Sequence, residues 1–504
     1  MKKSGLPCAP LFALLLAFAQ LSAQPLELEW LEKTRSPKDR LTEQLLRVDA
    51  RNFYLLRSQI PENDRVARRI PFLEILTNEG NRLHELRLPL PENSTYLCAP
   101  ANDSCFLLVW HESASVRARR FDFVAKKWAG EPLELFQTKA PNPEVWFSRA
   151  SDGSHTCVFF VDRRAGQNRM EVAVFDRRLT KMWQKSTELP GDPATFEARD
   201  FFVSRTGAVC LLARVYDRPN WGFAKPFGGA TSYFPDGRLP ANEYLAESVA
   251  PFSLAVFVLT NDKAQPLAFY PETGKKHTAS VVFTDNVGGQ VYLAGFGGDA
   301  SNAIWENYFA YQISPETGGG RMLRQAPLPN PVRRAMLSDK AHERKEPIEN
   351  YALRSADWAA DGRLWLFAER EKLSLFPPNR LEDAVVFKFD SAFQITATRV
   401  VGKGQNLPGG NDPFVASFAK IGMPDGGFCL LWNDGKWPNT SFRVAKMKRT
   451  GSPEESDLDF AQRSGVSPLP CTLREWNGQW YFVAESEYRE KFRIGVLRKT
   501  KGKK

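Results

Sequence analysis

Acidic, basic and histidine side chains recur at one place in this chain, directly after a run of large apolar residues. They are Arg57, His111 and Glu112, Asp162 and Arg163, Asp217 and Arg218, Glu369 and Arg370, Asp434, and Glu485. Trp221 and Trp437 follow closely on two of these positions. Brought together, such residues could bind a polar ligand. Pairs of carboxylates could also hand protons to and from a substrate as general acid and base. The competing reading is a set of ion pairs that tie neighbouring elements together. No spacing selects one carboxylate pair, so no catalytic residue is assigned.

Other chemistries find no support. The five histidines, His84, His111, His155, His277 and His342, include no helical metal pair. No cysteine spacing suggests zinc. A nucleophile elbow, a phosphate loop and a dinucleotide fingerprint are all missing. The expectation is no metal and no cofactor.

The elements that must carry these residues are eight copies of one unit, a tight turn followed by an apolar strand. The copies are NFYLLR from Asn52, NDSCFLLVW from Asn102, DGSHTCVFFV from Asp152 and TGAVCLLARV from Thr206, then GGQVYLAGF from Gly288, DGRLWLFAE from Asp361, DGGFCLLWN from Asp425 and NGQWYFVAE from Asn477. A strand precedes each turn, as in FEARDFFVS from Phe196, and a hairpin follows, as in MEVAVFDRRLTKMWQKSTELP from Met170. Four strands per repeat of roughly 45 to 50 residues is the pattern of a β-propeller. The fold class is therefore all-β, with eight four-stranded blades and seven as the alternative count.

The last copy has a third strand, FRIGVLRK from Phe492, and no fourth. LELEWLEK from Leu26 has strand alternation and no blade of its own. It is expected to close the ring, because an open array would leave unpaired edges.

Naming the strands A to D, the A–B turns are tight and the long insertions fall elsewhere. Residues 216–251 lie between B and C of blade four, 370–383 between B and C of blade six, and 329–350 between blades five and six. All three open onto one face, where the strand-end charges also emerge. Long loops in a compact domain are usually functional or disordered, so this face is the expected site. The first insertion holds Tyr216, Trp221, Phe223, Phe227, Tyr233, Phe234 and Tyr244. These aromatics either pack on each other as a small core or meet a ligand such as a sugar or a peptide.

Lys2 and Lys3, the apolar stretch Leu11 to Ala19 and Leu21-Ser22-Ala23 read as a secretory signal over residues 1–23. The apolar stretch is too short for a typical membrane span. Residues 24–504 then form one domain, exported to the periplasm or beyond. The formal net charge of +10 is spread over strands and turns, as at Arg119 and Arg120 or Lys126 and Lys127, and not gathered on one stripe. That argues against a nucleic-acid partner. Cys105, Cys157, Cys210 and Cys429 share one strand position with Tyr292, Trp365 and Tyr481. A position that takes Cys, Tyr or Trp is a core position, so buried thiols are expected; a disulfide involving Cys98 or Cys471 is the alternative.

The hairpin residues Phe175, Asp176, Leu179 and Trp183 resemble the repeats of pyrroloquinoline-quinone-type propellers, which also have eight blades. In that family an aspartate opens the C–D turn and a tryptophan packs on the next blade. Asp122 with Trp128 fits as well, whereas Asp390 has no tryptophan after it. The family's Thr-Gly turn and the adjacent cysteine pair of its alcohol dehydrogenases are absent here. The resemblance implies the architecture, not the cofactor. The chain also resembles exported bacterial propeller proteins, a likeness that supplies no activity. The leading functional expectation is a monomeric binding or scaffold protein that meets a protein partner or a glycan on its loop-rich face. The alternatives are a glycan-active hydrolase or lyase, a quinoprotein, and a structural part of an envelope complex.

Overall fold

The computed structural model describes residues 26–499 except 32–33, 36–39, 60–69, 92–95, 99–101, 103, 113, 139–144, 163–167, 193–194, 218–251, 273–276, 299–303, 360, 373–379, 407–417, 424–425, 437–438, 448–453, 458–465 and 487–490. Eight four-stranded antiparallel blades form a β-propeller. In blade one the strands are Arg40–Val48, Asn52–Gln59, Ile70–Thr77 and Arg82–Arg87, paired in chain order. Strand B is buried on both sides, as in Val291–Gly298 of blade five, where every residue is buried. It lies between two neighbouring blades, so it needs apolar residues on both faces. That is why the repeated unit reads as a continuous apolar run. Strand D forms the outer rim and is mostly exposed, as in Lys127–Gln137 of blade two.

Blade eight takes its fourth strand from the other end of the chain. Ser467–Trp476, Gln479–Glu485 and Lys491–Lys499 supply its strands A to C. Leu26–Trp30 pairs antiparallel with the third of these, Leu26 opposite Lys499 and Trp30 opposite Gly495. The core confirms closure. It divides into eight clusters, one between each pair of adjacent blades. The eighth joins Leu41, Leu45 and Phe53 of blade one to Leu469, Val483 and Ile494 of blade eight. An open row of eight blades would have only seven such seams.

The A–B turns are as tight as expected. Asn477 and Gly478 both have positive φ, 50° and 71°, the geometry that two-residue hairpin turns favour. Asp122, Asp176 and Asp390 each open a C–D turn by accepting backbone N–H groups two to four residues ahead. Cys105, Cys157, Cys210 and Cys429 are buried thiols outside any disulfide, each in a different seam. Burial pushes the Cys210 thiol up to about 12. Cys471 is half-buried. Cys98 carries no described side chain. Among the described residues no helix is long and apolar enough to cross a membrane.

Candidate functional site

The strand order places the B–C and D–A connections on one face, which is the mouth that carries the insertions. Insertion 329–350 folds back on the seam between blades five and six. It holds two short helices, α1 (Asn330–Met336) and α2 (Asp339–Glu343). Val332 and Met336 of α1 enter the core of that seam. The Ser338 side chain caps α2 by accepting the Ala341 N–H. Ile348–Glu349 then pairs with Ile304–Trp305 of blade five. Insertion 216–251 lies outside the described residues beyond Asp217, and with it Arg218 and Trp221. Arg163 and Trp437 also lie outside them, and the side chain of Asp162 is not described.

Most of the remaining rim charges turn inward. Arg57 is completely buried, 2.8 Å from Glu74 and 4.0 Å from Glu485 of the neighbouring blade. Its guanidinium lies over the Phe492 ring, and Glu485 accepts the Thr42 N–H at 2.9 Å. Glu369 is equally buried between Arg354, at 2.7 Å, and Lys403. Burial raises the Glu369 pKa, but the charges of Lys403 and Arg354 outweigh it and hold the carboxyl below its usual range. Asp434 binds Arg443 at 3.3 Å and accepts the Gly404 N–H at 2.7 Å. Residues 403–406 thus strap blade six to blade seven. Gln405–Asn406 pairs with Arg380 and Leu381 on one side and with Gly435 and Lys436 on the other. Arg57, Glu369 and Glu485 are therefore held in buried ion pairs inside the mouth. His111 is buried in blade two, where Glu112 pairs with Arg117 at 3.3 Å.

Blade four carries a similar cluster that the sequence reading did not contain. Glu197 on strand A meets Arg199 at 2.9 Å and Arg214 at 4.0 Å, and the Tyr216 hydroxyl donates to it at 2.5 Å. Burial works against ionisation, but the two arginines and this hydrogen bond bring the Glu197 carboxyl down to about 2. Burial, aided by Glu197 and opposed by Arg214, lifts the Tyr216 hydroxyl to about 12. A carboxylate with a depressed pKa stabilises the fold above its unfolded value and loses that contribution as pH falls through the folded one. Glu197→Gln is accordingly expected to cost about 3 kcal/mol at pH 7. The difference from the parent should vanish as the pH approaches 2. Urea denaturation at a series of pH values checks both limits.

Among the described rim charges, Asp217 and Arg370 are the most open to solvent. Asp217 is exposed at the end of its strand. Arg370 stays 38% exposed, 3.7 Å from Glu382, with its guanidinium 5.8 Å from the Tyr351 ring centre. Around it lies a corner that the strand-end pattern could not reveal. Tyr351 is 2% exposed, and its buried hydroxyl has no hydrogen-bond partner among the described residues. Burial raises its pKa, with the charge of Asp383 adding to the shift and that of Arg370 opposing it. Asp383 is half-buried, and burial raises its pKa against the opposing charges of Arg370 and Lys403. A half-buried carboxyl, a buried phenol and an exposed guanidinium in one corner can hydrogen-bond a polar ligand or exchange protons with a reacting one. The sequence did hold a signal: insertion 329–350 ends just before Tyr351, and insertion 370–383 begins at Arg370 and ends at Asp383. Among the described residues, no three His, Cys, Asp or Glu side chains are grouped to hold a metal ion.

No family model matches the chain, and no curated protein matches it in sequence. The chain is similar to several solved structures at low identity. Sqt1 of Saccharomyces cerevisiae is 9% identical over 93% of this chain and 98% of that one, with a TM-score of 0.40. The Dos1 propeller is 9% identical over 93% and 95%, with a TM-score of 0.45. The polysaccharide lyase Uly1 is 7% identical over 91% and 90%, with a TM-score of 0.43. These likenesses concern the fold alone, and the blade count rests on the chain's own strand pairing.

Proposed function

We propose that this β-propeller is an exported binding protein whose loop-rich mouth receives a glycan or a protein partner at blade six. The supporting observation is the convergence of two insertions on Tyr351, Arg370 and Asp383, where an arginine stays exposed while neighbouring rim charges are consumed in buried ion pairs. A ligand that binds only the folded chain raises its stability by mass action, by about 2.7 kcal/mol at a hundredfold excess over its Kd. A thermal-shift screen against glycans and peptides is therefore expected to yield a hit. Arg370→Ala, a change at an exposed side chain, should remove that shift and leave the unliganded midpoint near the parent's. A hit that Arg370→Ala leaves intact would place the ligand elsewhere.

A second reading, a glycan-active hydrolase or lyase, is favoured by the half-buried carboxyl of Asp383 near the Tyr351 hydroxyl, which has no hydrogen-bond partner among the described residues. It predicts turnover of the bound glycan that Asp383→Asn and Tyr351→Phe abolish while binding persists. Binding without turnover in the parent leaves the first reading standing alone.

A further inference from the structure

A pocket of about 300 Å³ opens on the opposite face, the turn face, at the seam between blades five and six. Tyr292, Leu323 and Phe393 form apolar walls, and Gln290, Gln312 and Arg321 add polar groups. The hydrogen-bonding sense of those groups follows atom by atom. The Gln290 backbone N–H donates to Asn286 Oδ1 at 3.0 Å, which fixes the orientation of the Asn286 amide. Asn286 Nδ2 then donates to the Tyr292 hydroxyl at 3.1 Å. The hydroxyl passes its own proton to Gln290 Oε1 at 2.7 Å. That leaves the Gln290 Nε2 group, a pure donor, for the pocket. Across from it, Arg321 has donors only and gives one to Gln312 Oε1 at 2.7 Å. The Gln312 Nε2 group is left as a second donor. Asp390, in the turn that carries Phe393, directs its Oδ1 back to the Ala392 and Gln394 N–H groups, and no residue lining the pocket is acidic.

The pocket thus combines a full positive charge and surplus N–H donors with an aromatic wall. Its volume is at the small end for ligand sites. We propose that it binds a carboxylated sugar residue, a uronate of about monosaccharide size. The carboxylate takes the remaining guanidinium donors of Arg321 in the paired geometry that arginine favours. Ring and hydroxyl oxygens accept from the two amides, and the C–H face of the ring lies on the wall of Tyr292 and Phe393. The same Gln-x-Tyr relay recurs in blade eight, where Tyr481 donates to Gln479 at 2.9 Å. In blade five the relay is joined by Arg321 and Gln312, which supply the charge. This site lies away from Tyr351, Arg370 and Asp383 and does not depend on a ligand there.

The test is calorimetric titration of the folded chain with galacturonate and a short oligogalacturonate, with a neutral oligosaccharide of equal length, and with inorganic phosphate. Uronate binding without detectable neutral-sugar binding is expected. Arg321→Ala should weaken it roughly 10- to 100-fold, the loss of one charge-assisted contact, with an unchanged melting curve because Arg321 is exposed. Gln312→Ala should weaken it less. Arg177→Ala, which removes an exposed positive charge on the same face in blade three, should leave it unchanged. Equal affinity for the neutral sugar, an affinity that Arg321→Ala does not move, binding of phosphate but not uronate, or no uronate binding at millimolar concentration would each overturn the proposal.

Discussion

Glu369→Gln lowers the stability of the folded chain by about 3–5 kcal/mol, the usual cost of removing one partner from a buried ion pair. Glu369, Arg354 and Lys403 form a triad in which the Glu369 and Lys403 side chains are wholly shielded from solvent. A neutral amide removes the nearest counter-charge of the buried Lys403, and Gln405, 2.6 Å away, cannot replace it. The loss should therefore reach beyond blade six. Lys403 anchors the strap whose next residue, Gly404, bonds to Asp434 of blade seven. Equilibrium denaturation at neutral pH measures the cost. The double variant Glu369→Gln, Lys403→Met should recover much of it, because the buried ammonium is gone as well. A single variant within 1 kcal/mol of the parent, as for an exposed pair, would show that the triad is solvated and the strap unimportant. The Glu369 carboxyl is held below its ordinary pKa. The contribution is thus present above the unfolded value and fades in acid, so parent and variant should converge at low pH.

Leu28→Asp detaches the N-terminal strand from blade eight and costs about 3–5 kcal/mol. Leu28 is 9% exposed, and Leu26 beside it is 8% exposed. Both pack on Ile421, Leu431 and Phe442 of blade seven, and Trp30 meets the Phe482 ring edge-on at 5.5 Å. Losing one buried leucine costs about 2–3 kcal/mol. A carboxylate in its place cannot stay there unpaired, so the strand peels away instead. The uncovered strand Lys491–Lys499 then presents an edge with Ile494, Val496 and Leu497, an invitation to intermolecular pairing. Hydrogen–deuterium exchange should show fast uptake across 491–499 in the variant, with Val209–Tyr216 of blade four still protected. Equal protection of both segments would mean that the ring is held shut without its N-terminal strand.

The repeats and the closing strand were legible because their cause is local. A strand between two blades must be apolar on both faces, so its copies stand out wherever they occur, and LELEW stands out as a strand with no neighbours in sequence. The rim was legible only as a set of positions. Arg57 and Arg370 end equivalent strands, yet one is sealed in a seam and the other is 38% exposed. What separates them is the company that folding brings: Arg57 lies 2.8 Å from Glu74 of strand C and 4.0 Å from Glu485 of blade eight, whereas Arg370 lies 3.7 Å from Glu382. The repeated B strand by itself does not carry that information. The thiols were easier, since Cys105, Cys157, Cys210 and Cys429 share their position with tyrosine and tryptophan. Tyr351 and Asp383 belong to strands A and C, outside the strand-end pattern, and gain their character from burial and from charges brought in by folding.

The pairing of Leu26 with Lys499 also makes the molecule a loop in topology with a single nick, placed where blades such as three and four have their C–D turn. Joining those two strands by a short hairpin and cutting elsewhere should give a circular permutant with the same eight seams. The turn between Phe252–Leu259 and Leu267–Phe269, exposed at 261–264, is a natural place for the new ends. The order in which the blades are written along the chain then becomes a choice of origin on a circle.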